Sequence, residues 1–184
     1  RKRQVPSWLH RLQIIDSTTI SLFSNLIFKG VGRHPKTGKK KDGIKVHTNI
    51  HANEGVPSDI KFTSATTNDS FMLKPANYND GDIIALDRAY IDYSKFEELT
   101  CRGVIYVTKM KKNLVYEVLS DMLCMAPCGL MEYRVQVVEF KKRIKYGEDI
   151  KHKARIITYV DLRKTKPKII SLLTNDMDLS DNCR

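Results

Sequence analysis

The chain has 184 residues, 41% of them hydrophobic, and its 32 Lys and Arg residues exceed its 21 Asp and Glu residues to give a net charge of +11. This length predicts one domain with a sizeable core, and the charge favours a polyanionic partner, nucleic acid before a membrane surface. No run approaches the roughly 18 apolar residues of a membrane span, and no signal peptide follows the basic start, so we expect a cytoplasmic protein.

The first third of the chain is predicted to be extended. Residues 1–11 are a basic lead-in, and the apolar run at 12–22 predicts a buried strand. After a loop, residues 43–53 alternate strictly between apolar and polar side chains, which is typical of a strand with two unlike faces. A third strand at about 59–66 would complete an antiparallel meander of three strands.

The middle of the chain is predicted to alternate helices and strands. Asn68 and Asp69 are candidate caps of a short helix that Pro75 ends. Residues 83–86 predict a second buried strand, and the spacing of apolar residues predicts a helix over about 92–101. This order favours an α/β fold.

The remainder is predicted to be rich in strands. Extended segments are expected at 104–108, 113–118, 133–142, 153–161 and 167–174. We therefore divide the chain into a core over 12–110, a β-rich insertion over 111–165, and a return toward the core over 166–184.

Two aspartates mark the predicted core. Asp16 lies inside the first strand, and Asp87 ends the fourth. If these strands are neighbours, both carboxylates project from one region, and a cation between them would relieve their repulsion. Mg²⁺ suits a few carboxylates plus a substrate phosphate, and two such ions can promote cleavage of a phosphodiester. The alternative is that the aspartates pair with a cation such as Lys45 or Arg88.

Two other signals are weaker. Cys124 and Cys128 form a C-x3-C pair that could hold zinc with His152, although an apolar turn is the simpler interpretation. The stretch PKTGKKK lacks the spacing of a phosphate-binding loop. We interpret it as a solvated basic loop that can contact a DNA backbone.

Five stretches together resemble the catalytic domain of DDE transposases of bacterial insertion sequences, more narrowly the IS-four-like family. They are IIDSTTISL, KKKDGIKVHTNIHANEGVPSDIKFTSATTND, GDIIALDRAYIDY, GVIYVTKMKKN and IISLLTNDMDLS, in the family's order. The resemblance covers most of the chain. It implies an RNase H-like fold, in which a mixed sheet begins with a three-stranded antiparallel meander and continues as alternating helix and strand. It also implies a β-rich insertion after the fifth strand.

The resemblance further implies an enzyme that uses Mg²⁺ or Mn²⁺ to cut the ends of a mobile element and to join them to target DNA. Asp16 and Asp87 match the first two acidic residues of the family's triad, as catalytic residues and metal ligands. The implied partner is DNA, with a possible homodimer on it in the full-length protein. The residues expected to contact DNA are Lys39, Lys40, Lys41, Lys45, His47 and Arg88.

The sequence departs from the family at the third acid. The signature Tyr-x2-Arg-x3-Glu-x6-Lys, started at Tyr133, meets Gln136 and Phe140 where arginine and glutamate are required, and Glu139 lies in a strand-like stretch. We therefore expect that this chain stops before the last catalytic helix, that it is inactive alone, and that one apolar sheet face is exposed. The alternatives are a non-catalytic DNA-binding remnant of a transposase and a metal-dependent nuclease on the same fold.

Overall fold

The computed structural model describes residues 6–21, 43–126, 132–143, 147, 149–162 and 166–177. Within these residues, nine strands and one α-helix form the main elements. The strands are β1 (Leu12–Ser21), β2 (Gly43–His51), β3 (Val56–Ser64), β4 (Ile83–Leu86), β5 (Ile105–Lys109), β6 (Glu117–Met125), β7 (Glu132–Lys142), β8 (Ile150–Asp161) and β9 (Lys168–Thr174), and the helix is α1 (Tyr93–Cys101). Short 3-10 turns cover Ser7–Arg11, Asp69–Met72, Pro75–Asn77 and Arg88–Tyr90.

All nine strands belong to one sheet, in the order β3-β2-β1-β4-β5-β9-β8-β7-β6. In its first half, β3, β2 and β1 form an antiparallel meander, and β4 and β5 continue parallel to β1. This arrangement confirms the predicted fold class, an α/β fold with a mixed sheet that begins with a three-stranded antiparallel meander.

The β-rich segment extends the same sheet. β9 returns to pair antiparallel with β5, with Leu173 opposite Thr108, and β8, β7 and β6 follow outward as antiparallel neighbours. The core and the insertion are therefore joined by continuous backbone hydrogen bonding. The exact domain boundaries that we expected, at residues 110 and 165, stay predictions.

One face of the sheet carries the core. Helix α1 begins where the side chain of Asp92 accepts a hydrogen bond from the Ser94 amide, and it packs the fully buried Phe96 and Leu99 against the sheet. Phe96 stacks on Tyr106 of β5 with 4.0 Å between ring centroids. Burying each such side chain contributes about 1.5 to 3 kcal/mol. The predicted helix at 92–101 is thus confirmed.

Two local predictions were wrong. The helix expected after Asn68 is instead a pair of short 3-10 turns, because Pro75 begins a second turn before a helix can lengthen. The strand expected at 113–118 is displaced, since β6 covers Glu117–Met125 and contains Cys124, where we expected the apolar turn to begin. Its pairing with β7 prevails over the local pattern.

Among the residues that the structure describes, none of the helices is long and apolar enough to cross a bilayer, and α1 has only nine residues.

Candidate active site

Asp16 and Asp87 come together at the junction of two parallel strands. Ile15 of β1 lies opposite Leu86 of β4. Continuing that register by one residue places Asp16 beside Asp87, on strands that are about 4.8 Å apart. Both aspartates are exposed. The two aspartates therefore follow neighbouring strands at one end of the pairing, and their joint role as a site stays a prediction.

The exposure of Asp16 follows from the alternation of side chains along β1. Gln13 and Ile15 are buried on the face that α1 covers, whereas Ile14 is 39% exposed and Asp16 shares its side of the strand. Our prediction of a buried strand at 12–22 is thus wrong for the face that carries Ile14 and Asp16, which is exposed. Asp16 needs no buried counter-charge, because water reaches it.

Neither carboxylate is neutralised by a basic side chain among the residues that the structure describes. Asp16 accepts a hydrogen bond from the Ser17 amide at 2.8 Å, and Asp87 accepts one from the Ala89 amide at 3.4 Å. Lys45, one suggested partner, instead pairs with Asp69 at 3.1 Å. Pairing with Lys45 or Arg88 is therefore not what the described geometry shows.

The two carboxylates fit a divalent cation in part. Carboxylate oxygens are the ligands that Mg²⁺ prefers, and it is commonly held by one or two of them together with water and a substrate phosphate. The described residues contain no group of three or more His, Cys, Asp or Glu side chains that could hold a metal ion. The protein ligands available here are thus Asp16 and Asp87.

The pKa of Tyr90 depends on charges from both faces of the sheet. Burial raises its pKa to about 12, a hydrogen bond with Ser17 opposes that shift, and the negative charges of Asp69, Asp16 and Asp87 add to it. Both site carboxylates therefore lie within electrostatic reach of one phenol. The Tyr90 hydroxyl stays protonated at neutral pH and can hydrogen-bond to its neighbours.

Lys45 and His47 lie on the covered face, opposite the two aspartates. Lys45 donates to the Thr67 carbonyl at 2.9 Å as well as pairing with Asp69. His47 is 5% exposed, and its two ring nitrogens contact the Tyr90 and Thr63 hydroxyls at 3.1 and 2.8 Å. These contacts give both residues a structural role. DNA binding by them stays a prediction that this burial does not favour.

The remaining predicted DNA contacts divide into two groups. Arg88 is exposed and directly follows Asp87, so it is available to a ligand. Lys39, Lys40 and Lys41 lie outside the described residues.

The described contacts of His152 do not favour the suggested zinc site. His152 is fully buried, and its ring nitrogens contact the Tyr106 hydroxyl at 2.6 Å and the Glu97 carboxylate at 2.7 Å. Both potential ligand atoms are thus occupied. Cys124 lies in β6, and Cys128 falls outside the described part of the chain.

Sequence reasoning missed two residues near the site. Asp69 was considered only as a helix cap, yet its carboxylate accepts a hydrogen bond from the Ser17 hydroxyl at 3.0 Å and pairs with Lys45. Both partners are distant in the sequence, so no local pattern predicts these contacts. Lys109 is the last residue of β5, and Asp87 is the first residue after β4. The parallel register pairs Leu86 with Thr108, so its continuation by one residue brings Asp87 opposite Lys109. The common position at a strand end was a signal that could have identified Lys109.

The family described as Transposase DDE domain matches residues 7–180, and the chain belongs to it. A solved structure of a piggyBac transposase synaptic complex with hairpin DNA is similar at 13% identity and a TM-score of 0.45, over 91% of this chain and 34% of that one. The chain thus spans about a third of that transposase. No curated protein matches.

Proposed function

We propose that the chain is the catalytic core of a transposase that cuts the ends of a mobile DNA element and joins them to target DNA by metal-dependent phosphodiester chemistry. Membership in the DDE family supports a function in transposition and implies DNA as the partner. The observation that supports the chemical proposal is the parallel register of β1 and β4, whose last pair, Ile15 opposite Leu86, comes one residue before each aspartate.

The proposed site uses the sheet as a rigid support. Asp16 and Asp87 would hold Mg²⁺ or Mn²⁺ through their carboxylate oxygens. When bound, such an ion supplies an activated water and stabilises the charge that develops on the leaving oxygen. The protein orients the two carboxylates through the amides of Ser17 and Ala89, and it leaves them open to a DNA backbone.

Finer assignments are part of the same proposal. The order of the motifs along the chain supports an insertion-sequence element of the IS-four-like type. A homodimer on paired DNA ends and a location in the bacterial cytoplasm stay predictions.

The proposal predicts that metal binding depends on both aspartates. Loss of a residue that only hydrogen-bonds to a metal ligand lowers metal affinity by about 10- to 100-fold. Loss of a ligand should weaken binding at least as much, so we expect Asp16→Asn or Asp87→Asn to weaken Mn²⁺ binding by at least about tenfold. Electron paramagnetic resonance of free Mn²⁺ during titration measures this. Asp80→Asn is the control, because Asp80 is an exposed aspartate in another part of the molecule.

Equal Mn²⁺ binding by the wild type and both site variants would contradict the metal assignment. If the protein then still bound DNA, the non-catalytic alternative would take its place. If metal binding is lost as expected, Mn²⁺-dependent nicking of a labelled duplex by the wild type, absent in both variants, would establish the chemistry.

A further inference from the structure

A basic cleft is lined at one end by Arg88, the residue that follows Asp87. It is an open cavity of about 710 Å³ between the segment that follows β5 and the strands β8 and β9. Five cationic side chains and one carboxylate among its lining residues define its charge: Arg88, Lys109, Lys111, Lys112, Lys168 and Asp161. Asp161 is only 8% exposed, so the surface that the cleft presents to solvent is positive.

The five cations of this basic cleft have no carboxylate partners within the described residues. None of them takes part in an ion pair or a side-chain hydrogen bond there, and none has a further contact of that kind. Basic residues on the insertion behave differently, since Arg134 pairs with Asp121 and Lys141 pairs with Glu117. Uncompensated like charges around one cavity repel each other, so binding an anion there is favourable.

The position of the cleft indicates a long anion rather than a small one. Arg88 directly follows Asp87, and the parallel register of β4 and β5 places Lys109 next to Asp87. From that end the cleft continues to Lys168, at the start of β9. A small anion would contact only part of this row. A polymer whose reacting phosphate lies at Asp16 and Asp87 would run directly into it.

We propose that the basic cleft binds the sugar–phosphate backbone of the DNA strand that flanks the phosphodiester at Asp16 and Asp87. The choice of DNA rests on the proposed function, and the inference goes beyond it by assigning the strand-holding surface to Arg88, Lys109 and Lys168 with their lysine neighbours. Contacts of this kind fix the position of a strand and carry no sequence information. They would hold the reacting phosphate at the two carboxylates.

The test is the salt dependence of DNA binding. Fluorescence anisotropy with a short labelled duplex of arbitrary sequence, in EDTA, compares the wild type with K109Q/K112Q/K168Q. Each lost phosphate contact lowers the slope of log affinity against log salt by about one, so we expect the slope to fall by about three. The control K74Q/K151Q/K153Q removes the same charge from exposed lysines outside the cleft and should keep most of the wild-type slope.

If the slope fell equally in the two triple variants, the loss of net charge alone would explain the effect, and the proposal would be overturned. An unchanged slope in the cleft variant would overturn it as well. Replacing the same three cleft lysines by arginine should restore binding, which excludes misfolding as the cause. Because EDTA removes metal, this assay is independent of the catalytic proposal. Mn²⁺ binding insensitive to Asp16→Asn, with DNA binding still lost in the cleft variant, would reject the metal site and leave the cleft standing.

Discussion

Lys45 and Asp69 form an ion pair on the covered face of the sheet, with side chains 12% and 13% exposed. Asp69 also accepts from the Ser17 hydroxyl, and His47 lies 3.7 Å from the same carboxylate oxygen. Burial lowers the pKa of His47, the charge of Asp69 opposes this shift, and the charge of Lys45 adds to it. Lys45 is therefore the main cation that compensates Asp69.

Replacing Lys45 by methionine should destabilise the protein. The Asp69 carboxylate would lose its compensating charge while partly buried, which costs about 1 to 3 kcal/mol. Lys61→Met is the matched control, because Lys61 pairs with Asp59 within β3 and both side chains are more exposed, at 37% and 44%. The loss of this pair should lower the free energy of unfolding by less than about 1 kcal/mol. Urea denaturation measures both, and equal costs would contradict the structural role of Lys45.

The site carboxylates were easier to predict than their surroundings. A lone carboxylate in an apolar run, and another at a strand end, stand out in the sequence, so Asp16 and Asp87 could be selected. The structure makes their strands neighbours, while their role as a site stays a prediction. The alternation of β2 likewise separates Lys45 and His47 from its apolar residues. It does not tell which face is covered, because that depends on where α1 and the 3-10 turn at Asp69 pack.

Three elements are joined by one chain of hydrogen bonds, from the partly exposed Glu97 of α1 through the buried His152 of β8 to the buried Tyr106 of β5. Burial raises the pKa of Tyr106 well above its usual value, so its hydroxyl donates to Nε2 of His152. Nδ1–H of His152 then donates to Glu97. This chain ties the insertion to the core helix, and with these donors and acceptors the imidazole is neutral.

Acid should weaken this connection. Burial lowers the pKa of His152 below 6.5, and the hydrogen bond and charge of Glu97 oppose the shift only in part. A lowered folded-state pKa gives stability that is fully present above about pH 6.5 and is lost as pH falls through the folded value. We expect the urea concentration at the unfolding midpoint to decrease when the pH is lowered from 7.5 to 5.5. His152→Gln should flatten that dependence, while His10→Gln, at an exposed position, should preserve it.

His47 also has a lowered pKa, so part of the pH dependence should survive in His152→Gln. Nuclear magnetic resonance titration of the wild-type imidazoles separates the two histidines without a core substitution. A His152 resonance that titrates at or above pH 6.5 would contradict this account.

Elements with strong local signals were predicted well, and elements specified by their partners were not. Helix α1 has a capping aspartate and apolar residues at helical spacing, so its bounds could be predicted. β6 has mostly exposed residues along its whole length, and it is extended because β7 pairs with it. A pattern search therefore had little information about where it begins, and it placed the strand too early.

At the scale of the whole molecule, the two faces of the meander differ in how they are covered. The face that carries Asp16 also presents a row of apolar side chains, with Ile20 51%, Ile60 50% and Phe62 70% exposed. Cross-strand pairing joins them into one patch, since Thr48 lies opposite both Asp16 and Ile60, and Val46 lies opposite Phe62. The exposed apolar face that we expected from the sequence is therefore present in the described residues.

Exposed apolar patches of this kind promote association, so we expect the chain to self-associate as its concentration rises and Phe62→Lys to shift it toward the monomer. Phe71→Lys is the matched control, because Phe71 is also 70% exposed but lies in a 3-10 turn away from this patch, and the added charge is the same. Sedimentation velocity over a range of concentrations measures the difference. A wild type that stays monomeric throughout, or an equal shift in the two variants, would show that the open face of the meander does not drive association.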